Sequence, residues 1–137
     1  MAPNGFEWIG DPEAPTRMWF VHGILGQGRN WRSFAQRWRA GDAARSAVLV
    51  DLRNHGGHPP ASPPHDLAAC ARDLQGHIAR EGMPSTLVGH SFGGKVVLQW
   101  LGDHAPSDSL RSRGQNLLET RSEPTPATGT EVVGGAL

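Results

Sequence analysis

The run Gly89-His90-Ser91-Phe92-Gly93 places a serine between two glycines. That spacing suits a nucleophile carried on a tight turn. A hydroxyl can attack a carbonyl carbon only if it projects clear of its own backbone, and a strand that turns at once into a helix achieves this at the cost of strain. Side chains at positions 89 and 93 would collide with neighbouring backbone, so hydrogen replaces them. The helix that follows points its free N–H groups and the positive end of its dipole at any negative charge developing there. The N–H of Phe92 is one candidate donor. Gly-x-Ser-x-Gly alone has little specificity, and the flanking segments give it meaning. Thr86-Leu87-Val88 has strand character, and Lys95 to Leu101 is helix-compatible.

A second motif lies upstream. His22-Gly23-Ile24-Leu25-Gly26 follows an apolar run, where a His-Gly turn lets the backbone fold over the nucleophile and offer a second N–H. Ile24 is the first candidate for that donor and Leu25 the alternative. His22 is expected to be a structural hydrogen-bonder, with Gly23 giving the turn its freedom. His55 and His90 are expected to line the pocket or hold its loops, and His58 shares the loop of His55. Other chemistries fit less well. The phosphate-loop spacing does not occur, since Gly93-Gly94-Lys95 is followed by Val96. His55, His58 and His65 lie in a Pro-rich stretch without the i, i+4 pairing of metal ligands, so no metal site is expected.

The elements that must position these residues alternate. Phe6-Glu7-Trp8-Ile9 reads as a first strand turning at Gly10-Asp11-Pro12, and Arg17 to Val21 as a buried strand. Residues 30–40 read as an amphipathic helix with Asn30 as N-cap and Trp31, Phe34, Ala35 and Trp38 on one side. Ala47 to Val50 is the next strand. Asp66 to Glu81 reads as a helix with Leu67, Cys70, Leu74, His77 and Ile78 on one face and Gly82 at its end. Continuous apolar strands separated by helices argue for an α/β fold, a parallel sheet with crossover helices.

Composition narrows the classes further. Lys plus Arg and Asp plus Glu balance at 13 each in 137 residues, so no net field favours nucleic acid or an anionic membrane. No apolar stretch approaches the roughly 20 residues of a membrane span. Cys70 is the single cysteine, which excludes an internal disulfide, and no signal peptide is read at the N-terminus. A cytoplasmic domain without nucleic-acid or membrane partners is the expectation.

Three blocks in this order, Phe20-Val21-His22-Gly23-Ile24-Leu25-Gly26, Val50-Asp51-Leu52-Arg53-Asn54-His55-Gly56 and Val88-Gly89-His90-Ser91-Phe92-Gly93-Gly94-Lys95, resemble the α/β-hydrolase superfamily. Arg-Asn-His-Gly and Gly-Gly-Lys are similar to its small esterase and acyl-thioesterase branch. The resemblance spans roughly residues 5–102. It implies a doubly wound sheet, no cofactor, and hydrolysis of a small acyl ester or thioester through an acyl-enzyme. It matches Ser91 to the nucleophile, and Phe92 with Ile24 or Leu25 to the oxyanion hole. It also implies an acid and then a histidine downstream of the serine.

Those two partners are not found. His104 is the only histidine after Ser91, and thirteen helical residues separate the two by roughly 20 Å, whereas a base must lie within about 3 Å of its proton or one water away. Asp103 and Asp108 fail similarly. Past Ala105 the composition turns to Ser, Thr, Pro, Gly, Arg and Glu, and no strand is expected there. The expected organisation is therefore a truncated, partial α/β-hydrolase domain over 1–104. Residues 105–137 are expected to form a low-complexity tail, disordered, irregular or foreign to the hydrolase. A half-sheet of this kind would expose an edge capable of self-association.

Overall fold

The computed structural model describes residues 4–104 and the backbone of 131–135. The strands are β1 (Phe6–Ile9), β2 (Thr16–Val21), β3 (Arg45–Val50), β4 (Thr86–His90) and β5 (Glu131–Gly135), and the helices are α1 (Arg32–Arg39), α2 (Leu67–Glu81) and α3 (Phe92–His104). They form one sheet in the order β1-β3-β2-β4-β5. β2 runs parallel to β3 and to β4, and β4 runs parallel to β5. Pairs such as Phe20 with Leu49, and Phe20 with Val88, set the register.

Two expectations about the sheet need correction. The sheet is mixed, because β1 pairs antiparallel with β3, Phe6 opposite Val50 and Ile9 opposite Ala47. The reason is length. Only residues 10–15 join β1 to β2, and a parallel return needs a crossover of a dozen residues or more. The second correction lies in the tail, where no strand was expected. The backbone of Glu131–Gly135 pairs with β4 from Thr86 to His90. Two β-branched residues between a Glu and two glycines form a weak local signal, and pairing along an otherwise open edge of β4 supplies what propensity does not. The expectation of disorder for the rest of 105–137 falls outside the described residues.

The pleat explains the layers. Trp19, Val21, Val48, Val50 and Leu87 point to one face, where they pack with Leu74 and Ile78 of α2 and Val96, Val97 and Trp100 of α3. The residues between them, Phe20, Ala47 and Leu49, point the other way, against Ala35, Trp31 and Trp38. Successive residues alternate faces in a strand, so a strand buried on both sides must be apolar throughout.

Helix boundaries follow local chemistry. Asp66 caps α2, its carboxylate accepting the Ala69 N–H at 2.8 Å, and Gly82 ends the helix at φ +91°. Asn30 does not cap α1 as expected. It sits inside a 3-10 turn, Gly28–Trp31, where its side chain accepts the Gln27 N–H at 2.8 Å. The tight turn absorbs the chain reversal before the α-helix begins at Arg32. Trp100 Nε1 donates to Gln75 Oε1 at 2.8 Å and ties α3 to α2.

His77, on the buried side of α2, is 4% exposed and packs edge-on against Phe6. Its Nδ1 lies 2.8 Å from Arg80 Nη2, and burial, then the Arg80 charge, lower its pKa to about 4. Protonation therefore favours the unfolded chain. The stability this histidine secures is complete above about pH 6.5 and is lost as pH falls toward 4, amounting to about 3 kcal/mol across that window. Urea midpoints measured between pH 7 and pH 4.5 are expected to fall, with a smaller fall in His77→Asn. An equal fall in both proteins would contradict the assignment.

Candidate functional site

Ser91 is the single residue between β4 and α3. Its φ is +52°, a conformation that costs a non-glycine residue on the order of 1–2 kcal/mol. Its neighbours explain how it is held there. A Cβ on Gly89 would lie 2.6 Å from the Cα of Gly94, and one on Gly93 would strike the carbonyl oxygens of Val21 and His22. No side chain larger than hydrogen fits at either place. The α3 N-terminus is then fixed by the Ser91 carbonyl, which accepts from Gly94 N at 3.0 Å and Lys95 N at 3.3 Å. The amides of Phe92 and Gly93, at the start of the helix, have no intrahelical acceptor. The Lys95 side chain is exposed.

The 22–26 segment lies directly over this turn. A Cβ placed on Gly23 would be 3.3 Å from Ser91 Cβ and 3.0 Å from His90 Nδ1. Gly26 N donates to Gly23 O at 3.0 Å, closing a four-residue turn whose two central members are Ile24 and Leu25. Leu25 takes φ +63°, the positive value that one class of β-turn requires at its third residue. The amides of both central residues lie outside the turn's own hydrogen bond. Their side chains are 63% and 94% exposed. An open cleft of about 490 Å³ results, lined by His22 to Gly26, Asn30, Trp31, His90 and Ser91. Leu25 and Ser91 are two of the three positive-φ residues other than glycine among the described residues, so backbone strain concentrates at this cleft.

His22 is 1% exposed, and both its nitrogens are engaged. Nε2 accepts the Leu52 N–H at 3.0 Å, which leaves the proton on Nδ1 to be donated to Gly23 O at 2.7 Å. Burial lowers its pKa and keeps the ring neutral. His90 is exposed at the cleft, its ring edge toward Trp31. His55 is not among the cleft residues. Its ring lies tilted against that of His22, 5.1 Å between centroids, with Nδ1 2.9 Å from Arg53 O. His58 turns the other way, its Nε2 3.5 Å from an Asp73 carboxylate oxygen. His104 ends the uninterrupted helix that Ser91 precedes, roughly 20 Å along its axis. Among the described residues no carboxylate lines the cleft, no group of three His, Cys, Asp or Glu side chains is arranged to hold a metal, and no helix is long and apolar enough to cross a membrane.

Sequence reasoning singled out no role for Asp51. The structure buries it to 2% exposure at the end of β3, with Oδ1 accepting Gly28 N at 2.6 Å and Oδ2 accepting Gly57 N at 2.8 Å. A charged residue closing an apolar strand between two glycine-rich loops was the available signal.

A profile described as the alpha/beta hydrolase family matches residues 20–134. The chain belongs to the alpha/beta hydrolase family. Among curated proteins it is 40% identical over 92 residues to the sn-1-specific diacylglycerol lipase ABHD11 of Mus musculus, covering 65% of this chain and 28% of the relative. It is 31% identical over 93 residues to a probable alcohol acetyltransferase of Saccharomyces cerevisiae, covering 65% and 26%. Among solved structures, a marine microorganism esterase superposes with a TM-score of 0.62 at 30% identity, over 72% of this chain and 36% of that one. The chain thus spans about a quarter of the length of the curated relatives it matches. The described residues hold a mixed sheet with flanking helices.

The close backbone approach makes a graded prediction. Gly93→Ala is expected to cost at least about 2 kcal/mol through overpacking against immovable backbone. Gly102→Ala, in the same helix with nothing within 4 Å of the added carbon, is expected to stabilise by up to about 1 kcal/mol. Denaturant midpoints of the two variants test the pair, and similar shifts would contradict the close approach of Gly93 to the β2 backbone.

Proposed function

We propose that this chain carries the nucleophile half of a serine hydrolase acting on small acyl esters or thioesters, with Ser91 forming an acyl-enzyme. The N–H of Phe92, together with that of Ile24 or Leu25, would receive the oxyanion. The single observation that supports this most is the position of Gly23, one carbon's width from Ser91 Cβ, which brings the turn amides and the strained serine to one cleft. The names of the relatives, a lipase, an acetyltransferase and an esterase, support acyl chemistry. No cofactor enters the reaction. Attack by Ser91 Oγ on the acyl carbon forms the new C–O bond as the hydroxyl proton passes to water, and the carbonyl π pair moves to its oxygen. Collapse breaks the bond to the leaving group, which takes up a proton and departs as the alcohol or thiol, and water later releases the acid. Among the described residues none is assigned as the general base: His22 is committed to two hydrogen bonds, His104 is distant, and His90, which lines the cleft, has no described carboxylate there to orient it.

Oxyanion donors and binding alone retain roughly 10³–10⁴-fold catalysis over water when triad members are removed. A fluorophosphonate is accordingly expected to label Ser91 slowly but selectively, and Ser91→Ala to abolish the label. Equal labelling of both proteins, or none of the wild type, rejects the assignment. Turnover of p-nitrophenyl acetate is expected near background and unchanged in His104→Ala. Ordinary esterase rates lost in that variant would overturn the distance argument.

Two observations favour a second reading, a non-catalytic interaction module: among the described residues no carboxylate lines the cleft, and β1 pairs only with β3, leaving an edge for self-association. Sedimentation of a monomer at micromolar concentration counts against it.

A further inference from the structure

The turn that faces Ser91 is slung between two anchors, and both stand on the end of β3. At its start, His22 Nε2 accepts the N–H of Leu52 at 3.0 Å. At its finish, Gly28 donates its N–H to Asp51 Oδ1 at 2.6 Å. Gly28 is pressed onto the strand so closely that a Cβ would lie 2.9 Å from the carbonyl carbon of Leu49, and this closeness lets its N–H reach the carboxylate. The other oxygen of Asp51 accepts from Gly57 at 2.8 Å. A Cβ on Gly56 would run into the same carboxyl group, so the loop after β3 wraps around it. One buried carboxylate therefore holds two loops at once.

We propose that Asp51 is a positioning residue for the turn amides at Ile24 and Leu25, acting through Gly28. This rests on the serine-hydrolase assignment above. An oxyanion donor must stand about 2.7–3.1 Å from where the charge develops, and its value depends on being set in place beforehand. Leu25 holds a positive φ with its side chain in solvent, so its own packing does little to fix it, and the anchors at either end must supply the constraint. A charge-assisted bond to a backbone N–H is about twice as strong as a neutral one, which suits a carboxylate over an amide or hydroxyl. The same residue fixes Gly57, so the 53–58 loop and the oxyanion turn are set by one group.

Asp51→Asn tests this. The carboxamide has a single oxygen, so one of the two N–H groups must face an N–H₂. Two readouts are taken on the full chain. Backbone amide NMR is expected to show Gly28 far downfield in the wild type, and the Ile24, Leu25 and Gly26 signals displaced in the variant while those of Phe20 and Val48 stay in place. Fluorophosphonate labelling is expected to lose about 10- to 100-fold in its maximal rate, as for a donor misplaced by about an ångström, with the half-saturating probe concentration unchanged. Asp51→Ser, which is smaller and keeps one acceptor, serves if the asparagine variant does not fold, with the same expectations. Unmoved Ile24 to Gly26 amides, or an unchanged maximal rate in a labelling wild type, overturns the proposal. A wild type that takes no label refutes the serine-hydrolase assignment instead, and the displacement or constancy of the amides still decides whether Asp51 sets the turn.

Discussion

The geometry of this site depends on how closely three stretches of backbone approach one another. The end of β2, the end of β4 and the start of α3 meet where Gly89 lies against Gly94 and Gly93 lies against the carbonyls of Val21 and His22. A methyl group at either glycine would force the helix away from the sheet. Because α3 cannot retreat, Ser91 must make the whole change of direction within one residue, and it does so at a positive φ. The strain is local, and the hydrophobic contacts of Val96, Val97 and Trp100 with the sheet hold the helix that imposes it.

Polar burial at the sheet's end follows a similar economy. His22, Asp51 and the backbone groups they bind are all taken out of water, a placement that would be costly were any left unpaired. They pair with each other's loops and not with their own neighbours alone: His22 with Leu52, Asp51 with Gly28 and Gly57. On the opposite side of the same loop, Arg53 grips Asp73 with two hydrogen bonds of 2.7 and 2.9 Å and also reaches the carbonyls of Ser62 and Pro64. Pro-rich chain without regular structure is thereby laid on α2 by a single guanidinium.

The helices and central strands were legible because their signals are local and repeated. α2 announces itself through Leu67, Cys70, Leu74, His77 and Ile78 at helical spacing, between an acidic cap and a glycine end, and β2 to β4 through unbroken apolar runs. Asn30 was misplaced because a cap and the third residue of a 3-10 turn draw on the same side-chain chemistry. β5 was missed because a short strand depends on its partner: Val132 and Val133 beside two glycines mean little until β4 stands next to them.

Composition and spacing by themselves determined that this chain alternates strands and helices, that Ser91 stands at a strand-to-helix junction, and that a His-Gly turn precedes it by two strands. Those are properties of short windows, governed by steric rules that each residue carries with it. Only the folded chain decided that β1 runs against its neighbours, that the two nitrogens of His22 are spent on backbone, and that Asp51 spans two loops. Each of these joins residues far apart in the chain. Such contacts exist only after the sheet has ordered both partners, so no window of sequence contains them.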